Sequence, residues 1–160
     1  PVHDEHKLFK MLILEGQQAG LSWQTILSKM DAMTEAYENF NPEILSNYDE
    51  QKIEELLSDQ RVIRNRLKIK AVIKNAKAYL KLKEEYGSLD SYIWSFVKNG
   101  PIVNSWSSIE EVPARTDLSD KISKELKKKG FSFVGSTTIY AFMQSIGMVN
   151  DHLLTCDFRI

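Results

Sequence analysis

The strongest constraint on the fold is a helical periodicity that runs through almost the whole chain, interrupted by capping and stop residues. From about Arg66 to Tyr86, apolar Ile69, Val72, Ile73, Ala76, Tyr79 and Leu80 recur at the spacing of one helix face. Gly87 is a natural stop, and Ser88 caps a helix carrying Leu89, Tyr92, Ile93, Phe96 and Val97. Upstream, Asp4 opens a helix with Leu8, Phe9, Met11 and Leu12 that ends near Gly16. Ser22 opens another with Trp23, Ile26, Leu27 and Met30 on one side, and Asp31 opens a third containing Tyr37 and Phe40. Asn41-Pro42 is a restart, because proline suits the first helical position after an Asn cap. Asp49 then precedes Ile53, Leu56 and Leu57. Asn99-Gly100-Pro101 breaks the chain, and Ile102 to Arg115 reads as a connecting loop. Helices from about Ser119 to Lys129 and from about Ser136 to Ile146 stop at Gly130 and Gly147. No run alternates like a strand, and no repeat or linker divides the chain. The expectation is one all-α domain over residues 1–160, with a short helical hairpin at about 119–146.

No apolar run approaches the roughly 20 residues that cross a bilayer. The start is not signal-like, since His3, Asp4, Glu5 and His6 come first. The single cysteine, Cys156, excludes an internal disulfide framework and is compatible with a reducing cytoplasm. These features point to a cytoplasmic protein without a membrane partner. The net charge of −1 argues against a protein that coats nucleic acid, but it conceals strong segregation. Asp31 to Asp59 holds nine acidic residues and one basic residue, whereas Gln60 to Lys83 holds nine basic residues and no acidic ones. Lys121, Lys124, Lys127, Lys128 and Lys129 form a second basic cluster. Each is either a phosphate-binding face or an ordinary solvated helix face.

Three constellations could carry chemistry. In the hairpin Gly130-Phe131-Ser132-Phe133-Val134-Gly135, the glycine before the helix and the free N–H groups of Ser136, Thr137 and Thr138 make an anion site suited to a DNA phosphate. The alternative is an ordinary hairpin with glycine stops. The segment Glu15-Gly16-Gln17-Gln18-Ala19-Gly20-Leu21-Ser22-Trp23 offers parts for holding an extruded base. They are a carboxylate, two glutamines, a flexible turn with an exposed Leu21, and an indole for stacking. The alternative is a helix connection with Trp23 in the core and Glu15 in solvent, and the residues alone favour it. Finally, His152 and Cys156 share a face at i and i+4 if helical, as two ligands of one Zn²⁺ would, or they are coincidence.

Together these features resemble the type I DNA-3-methyladenine glycosylases of bacteria, members of the helix-hairpin-helix DNA glycosylase superfamily. The resemblance is carried by Leu14 to Trp23, by Trp94-Ser95-Phe96-Val97, by Lys128 to Gly135, and by Val149-Asn150-Asp151-His152, and it extends over essentially the whole chain. It implies the helix-hairpin-helix glycosylase fold and monofunctional hydrolysis of the N-glycosidic bond of 3-methyladenine in alkylated double-stranded DNA, leaving an abasic site. It also implies a monomer of the bacterial cytoplasm. Glu15 corresponds to the residue that recognises the damaged base and assists catalysis, and Trp23 to the one that stacks on it. Gly20 and Leu21 match the turn that approaches the gap in the duplex, and Gly135, Ser136 and Thr137 match the hairpin's grip on the backbone. His152 and Cys156 match half of a structural zinc site, whose other ligands come from a further N-terminal segment of the family that this sequence does not show. Two departures stand out. Asn150 occupies the place of the superfamily's catalytic Asp, an absence shared by the type I family, and Phe133 stands where the hairpin's first glycine belongs. A non-catalytic relative that binds DNA damage is the alternative function.

Overall fold

A computed structural model describes residues 1–97, 100–104 and 111–151. Among these residues the chain forms eight α-helices: α1 (Glu5–Gln18), α2 (Trp23–Ala36), α3 (Pro42–Leu45), α4 (Glu50–Leu57), α5 (Arg66–Tyr86), α6 (Leu89–Trp94), α7 (Asp117–Lys128) and α8 (Ser136–Ser145). The capping residues do most of the punctuation. Asp4, Ser22, Asn41, Asp49, Asn65 and Ser88 each accept a backbone N–H from the first turn of the helix they precede. Thr116 and Ser119 form a reciprocal capping box, so α7 begins at Asp117 rather than at Ser119.

Three boundaries differ from the sequence expectation. Asp31 does not open a helix, because Ile26 and Met33, two turns apart and both fully buried, carry one core face of α2 past it. Tyr37 ends that helix, and Phe40 lies in a turn over Glu38–Phe40 whose residues all hold positive φ. Phe96 and Val97 follow α6 rather than belonging to it. Within the expected loop, β1 (Ile102–Val103) pairs in parallel with β2 (Val149–Asn150). A two-residue pairing between segments so distant in sequence leaves no alternation to read.

α1 is the organising element, packed against α2, α5, α6 and α8. Leu8, Phe9, Leu12 and Ile13 are buried from it, facing Ile69, Val72, Ala76 and Tyr79 of α5 and Ile139, Phe142 and Met143 of α8. Each Leu, Ile, Val, Phe or Met among these contributes about 1.5–3 kcal/mol by leaving water. This packing brings the C-terminal end of α1 beside the N-terminal turns of α5 and α8, and the three helix ends meet at the segment from Glu15 to Trp23.

Candidate functional site

Glu15 and Trp23 occupy each other's expected environments. An ordinary helix connection would bury the indole and solvate the carboxylate, yet Glu15 is 8% exposed and Trp23 is 44% exposed. Burial, with no compensating charge, raises the Glu15 carboxyl from 4.5 to about 7. Glu15 also divides two hollows. On one side a 310 Å³ cavity is walled by Met11, Leu14, Trp23 and Met30, with Lys7 and Lys10 also lining it. On the other a 210 Å³ cleft runs between Gln18, Gly20 and Leu21 and the first turns of α8 at Thr137, Thr138 and Ala141. Larger hollows of 430 and 450 Å³ elsewhere share no residue with this motif, so size alone does not select the site. A carboxylate held at low dielectric against an apolar wall and an open indole suits a flat cation.

The turn after α1 has a defined shape. Ala19 at φ −48°, ψ 118°, Gly20 at φ +79°, and a 2.7 Å bond from Leu21 N–H to Gln18 C=O describe a type II turn. Glycine is required at its third position, where φ is positive. The turn leaves Leu21 37% exposed at the rim of the cleft. The two glutamines separate: Gln18 lines the cleft, whereas Gln17 is buried and donates from Nε2 to the Lys68 carbonyl at 3.0 Å. In return the Lys68 ammonium donates to the carbonyls of Gln17 at 2.8 Å and Ala19 at 2.6 Å.

Lys68 is therefore not part of a solvated basic face. It is 6% exposed, and burial holds its amine below the usual lysine range. Counting charges concealed it, but spacing could have found it, because Lys68 falls on the same helical stripe as buried Val72 and Tyr79. Of the same basic run, Arg61 pairs with Asp59 and Glu35, and Arg66 pairs with Glu54. Lys70, Lys74, Lys77 and Lys81 remain exposed along α5.

The hairpin is held from below. Asn75, buried on α5, accepts the Ser132 N–H at 2.7 Å and donates to the Ser132 carbonyl at 3.0 Å, and the Ser123 hydroxyl donates to the Val134 carbonyl at 2.6 Å. Phe133 has φ +56°, the left-handed conformation that a glycine would adopt without strain. Its Cβ and carbonyl oxygen lie 3.2 Å from where a side chain on Gly16 would begin, so the Gly16 backbone of α1 sits directly against the hairpin at Phe133. Gly135 caps α8 without a side chain, leaving the first-turn N–H groups directed at whatever enters. The Ser136 hydroxyl bonds to Asp120 and Ser119, so its proton is committed within the protein, whereas Thr137 is exposed.

At the other end of α8, Tyr140 and Gln144 donate to Asp151, which also accepts from the Asn104 amide. Asn150 lies in β2, anchored by its carbonyl to Asn104 N–H at 2.9 Å. His152 and Cys156 lie outside the described residues. Among the described residues no group of three or more His, Cys, Asp or Glu is gathered to hold a metal. No helix of the described residues is long and apolar enough to cross a membrane.

Comparison with known proteins bears on the whole arrangement. A family model described as methyladenine glycosylase matches residues 1–160. The chain is 46% identical over 156 residues to a DNA-3-methyladenine glycosylase of Haemophilus influenzae, covering 98% of this chain and 84% of that one. A crystal structure of a 3-methyladenine DNA glycosylase I superposes with a TM-score of 0.97 at 42% identity, over 100% of this chain and 88% of the other. The Staphylococcus aureus 3-methyladenine DNA glycosylase I, studied for recognition of 3-methyladenine, gives a TM-score of 0.96 at 35% identity over 100% and 85%.

Proposed function

Because the chain belongs to the methyladenine glycosylase family and has the helix-hairpin-helix glycosylase fold of its relatives, we propose that it excises 3-methyladenine from alkylated duplex DNA, with Glu15 as the anion of the base pocket. The observation that carries this assignment is the exchange of environments between Glu15 and Trp23, because burying a carboxyl without a compensating charge disfavours its ionised form.

A 3-methylated adenine is cationic, and cleavage of its N-glycosidic bond by water releases a neutral base. The leaving group needs no proton, so an enzyme for it can lack the superfamily's catalytic Asp. The burden shifts to recognition. In the apolar cavity an ionised Glu15 is unfavourable alone and favourable opposite a cation, so the pocket discriminates by charge as well as shape. Ordinary adenine offers no such compensation. The exposed Trp23 indole supplies a stacking face, with a cation–π contribution. Glu15 then orients the base and opposes positive charge growing on the sugar. Leu21 and the Gly20 backbone fill the space vacated in the duplex, while Gly135 and the N–H groups of Ser136 and Thr137 take a phosphate. Although Lys7 and Lys10 line the cavity, the reaction assigned here uses water as nucleophile and leaves the strand uncut.

The same reading includes a monomer of the bacterial cytoplasm with structural zinc at His152 and Cys156. Imidazole and thiolate are a donor pair that suits Zn²⁺, and the ion, when bound, contributes folding energy and no step at the base. The test is release of 3-methyladenine from methylated DNA by the parent and by Glu15→Gln. We expect free base and an uncleaved abasic strand from the parent, and release slowed about 100-fold in the variant. Unchanged release by the variant removes Glu15 from the mechanism. Binding to abasic duplex without base release at any enzyme concentration makes the chain a damage-binding relative instead.

A further inference from the structure

We infer that Lys68 is a positioning residue for base extrusion, selecting the type II form of the Gln18–Leu21 turn and so fixing where Leu21 and the Gly20 amide point. This inference rests on the proposed role of that turn in the duplex. Type I and type II turns differ mainly by a flip of the central peptide, here Ala19–Gly20. In a planar trans peptide the carbonyl and the next N–H point in opposite directions. The 2.6 Å bond from Lys68 Nζ to the Ala19 carbonyl holds that carbonyl inward, and therefore turns the Gly20 N–H away from Lys68. The second bond, 2.8 Å to the Gln17 carbonyl, ties the same ammonium to the last turn of α1. Helix C-terminal carbonyls lack intrahelical partners and carry partial negative charge, which favours a cation there.

The placement is reciprocal and rigid. Gln17 Nε2 returns a bond to the Lys68 backbone at 3.0 Å, and Asn65 caps the helix that carries Lys68 through the Lys68 N–H at 3.2 Å. A flexible lysine stem is thus fixed at both ends, inside the protein, beneath a turn whose tip is exposed. Gly20 alone does not choose between turn types, because glycine tolerates both signs of φ. Without Lys68 the Ala19–Gly20 peptide is free to flip, and Leu21 loses its set direction.

The discriminating experiment compares the parent, Leu21→Ala, Lys68→Met and the double variant in the intact chain. Two affinities are measured: free 3-methyladenine by tryptophan fluorescence, and abasic duplex by anisotropy. We expect K68M to hold the free base within twofold, because Glu15 and Trp23 stay in place, and to bind abasic duplex at least tenfold more weakly. In the L21A background K68M weakens duplex binding by clearly less than in the parent, because the share of the loss that runs through Leu21 is already gone and only the Gly20 backbone remains to be displaced. Lys68→Arg, which keeps a cationic donor, restores most of the duplex affinity. Should K68M fail to fold, Lys68→Gln, with a donor but insufficient reach, takes its place with the same expectations. If L21A leaves duplex binding unchanged, the assigned role of the turn fails. If L21A weakens it but K68M does not, or if the two losses multiply independently, the role of Lys68 fails.

Discussion

Replacing Glu15 with Gln should impair excision while making the protein increasingly more stable than the parent as pH rises. The carboxyl is raised by burial from 4.5 to about 7, so the folded chain holds a proton there that the unfolded chain has released. Between those values the unfolded state binds fewer protons, and stability must fall with increasing pH. The stabilising effect is complete below about pH 4.5, declines through neutrality, and is lost above the folded value. A shift of this size corresponds to about 3 kcal/mol at full ionisation. Gln carries no charge, so this pH-dependent term disappears in the variant, and any constant cost of the amide cancels from the slope. The assay is urea unfolding of both proteins from pH 4.5 to 8.5, read as the difference in unfolding free energy. That difference should move in favour of Glu15→Gln by about 3 kcal/mol across the range. Excision should mirror it: kcat/KM of the parent rises with pH, is half-maximal near 7 and levels off above it, and the variant lacks this ascending limb. Parallel stability curves for the two proteins would refute the claim that desolvation of Glu15 is the stored cost of cation recognition.

Three further outcomes follow from contacts described above. Asn75→Leu leaves the Ser132 N–H and carbonyl without partners and should cost about 3 kcal/mol in denaturant unfolding; a loss below about 1 kcal/mol would mean that the hairpin holds itself. Gly16→Ala gains helix propensity but must displace Phe133 backbone, so global stability should change by less than about 1 kcal/mol while abasic-duplex affinity falls several-fold. Unchanged affinity would separate the hairpin from the pocket. Cys156→Ser should lower both bound zinc, read by metal analysis, and the melting temperature; zinc-free parent protein rules out the metal assignment.

Helical pattern and capping chemistry carried most of the fold, because both act within a few residues. Gly87 ends α5, and Asp4, Ser22, Asn41, Asp49 and Ser88 cap the helices expected of them. Asp31 misled because a cap preference operates only where the residue itself is non-helical, and Asp31 lies inside α2. The parallel pair β1–β2 was hidden by its brevity and separation. The site was legible only in part. Residue types made Glu15 to Trp23 ambiguous, and resemblance to a family named its chemistry. Neither could reveal that carboxylate and indole would exchange environments, which depends on α1 being enclosed by α5 and α8. Asn75 escaped for a related reason, since an amide side chain reads as solvated until a distant backbone is found to need its hydrogen bonds. Lys68 escaped because its charge merges with the basic run, although its spacing places it on the buried stripe of α5.

The close approach of Gly16 and Phe133 has a consequence for the partner molecule. With no side chain on Gly16 to space them, the pocket helix and the hairpin act as one gauge, whose two jaws move together. On the proposed reading, the span from gripped phosphate to captured base is then a property of the protein, and the duplex must deform to match it. Selection of damage would begin with how readily a stretch of DNA yields to that fixed span, before any atom of the base is inspected.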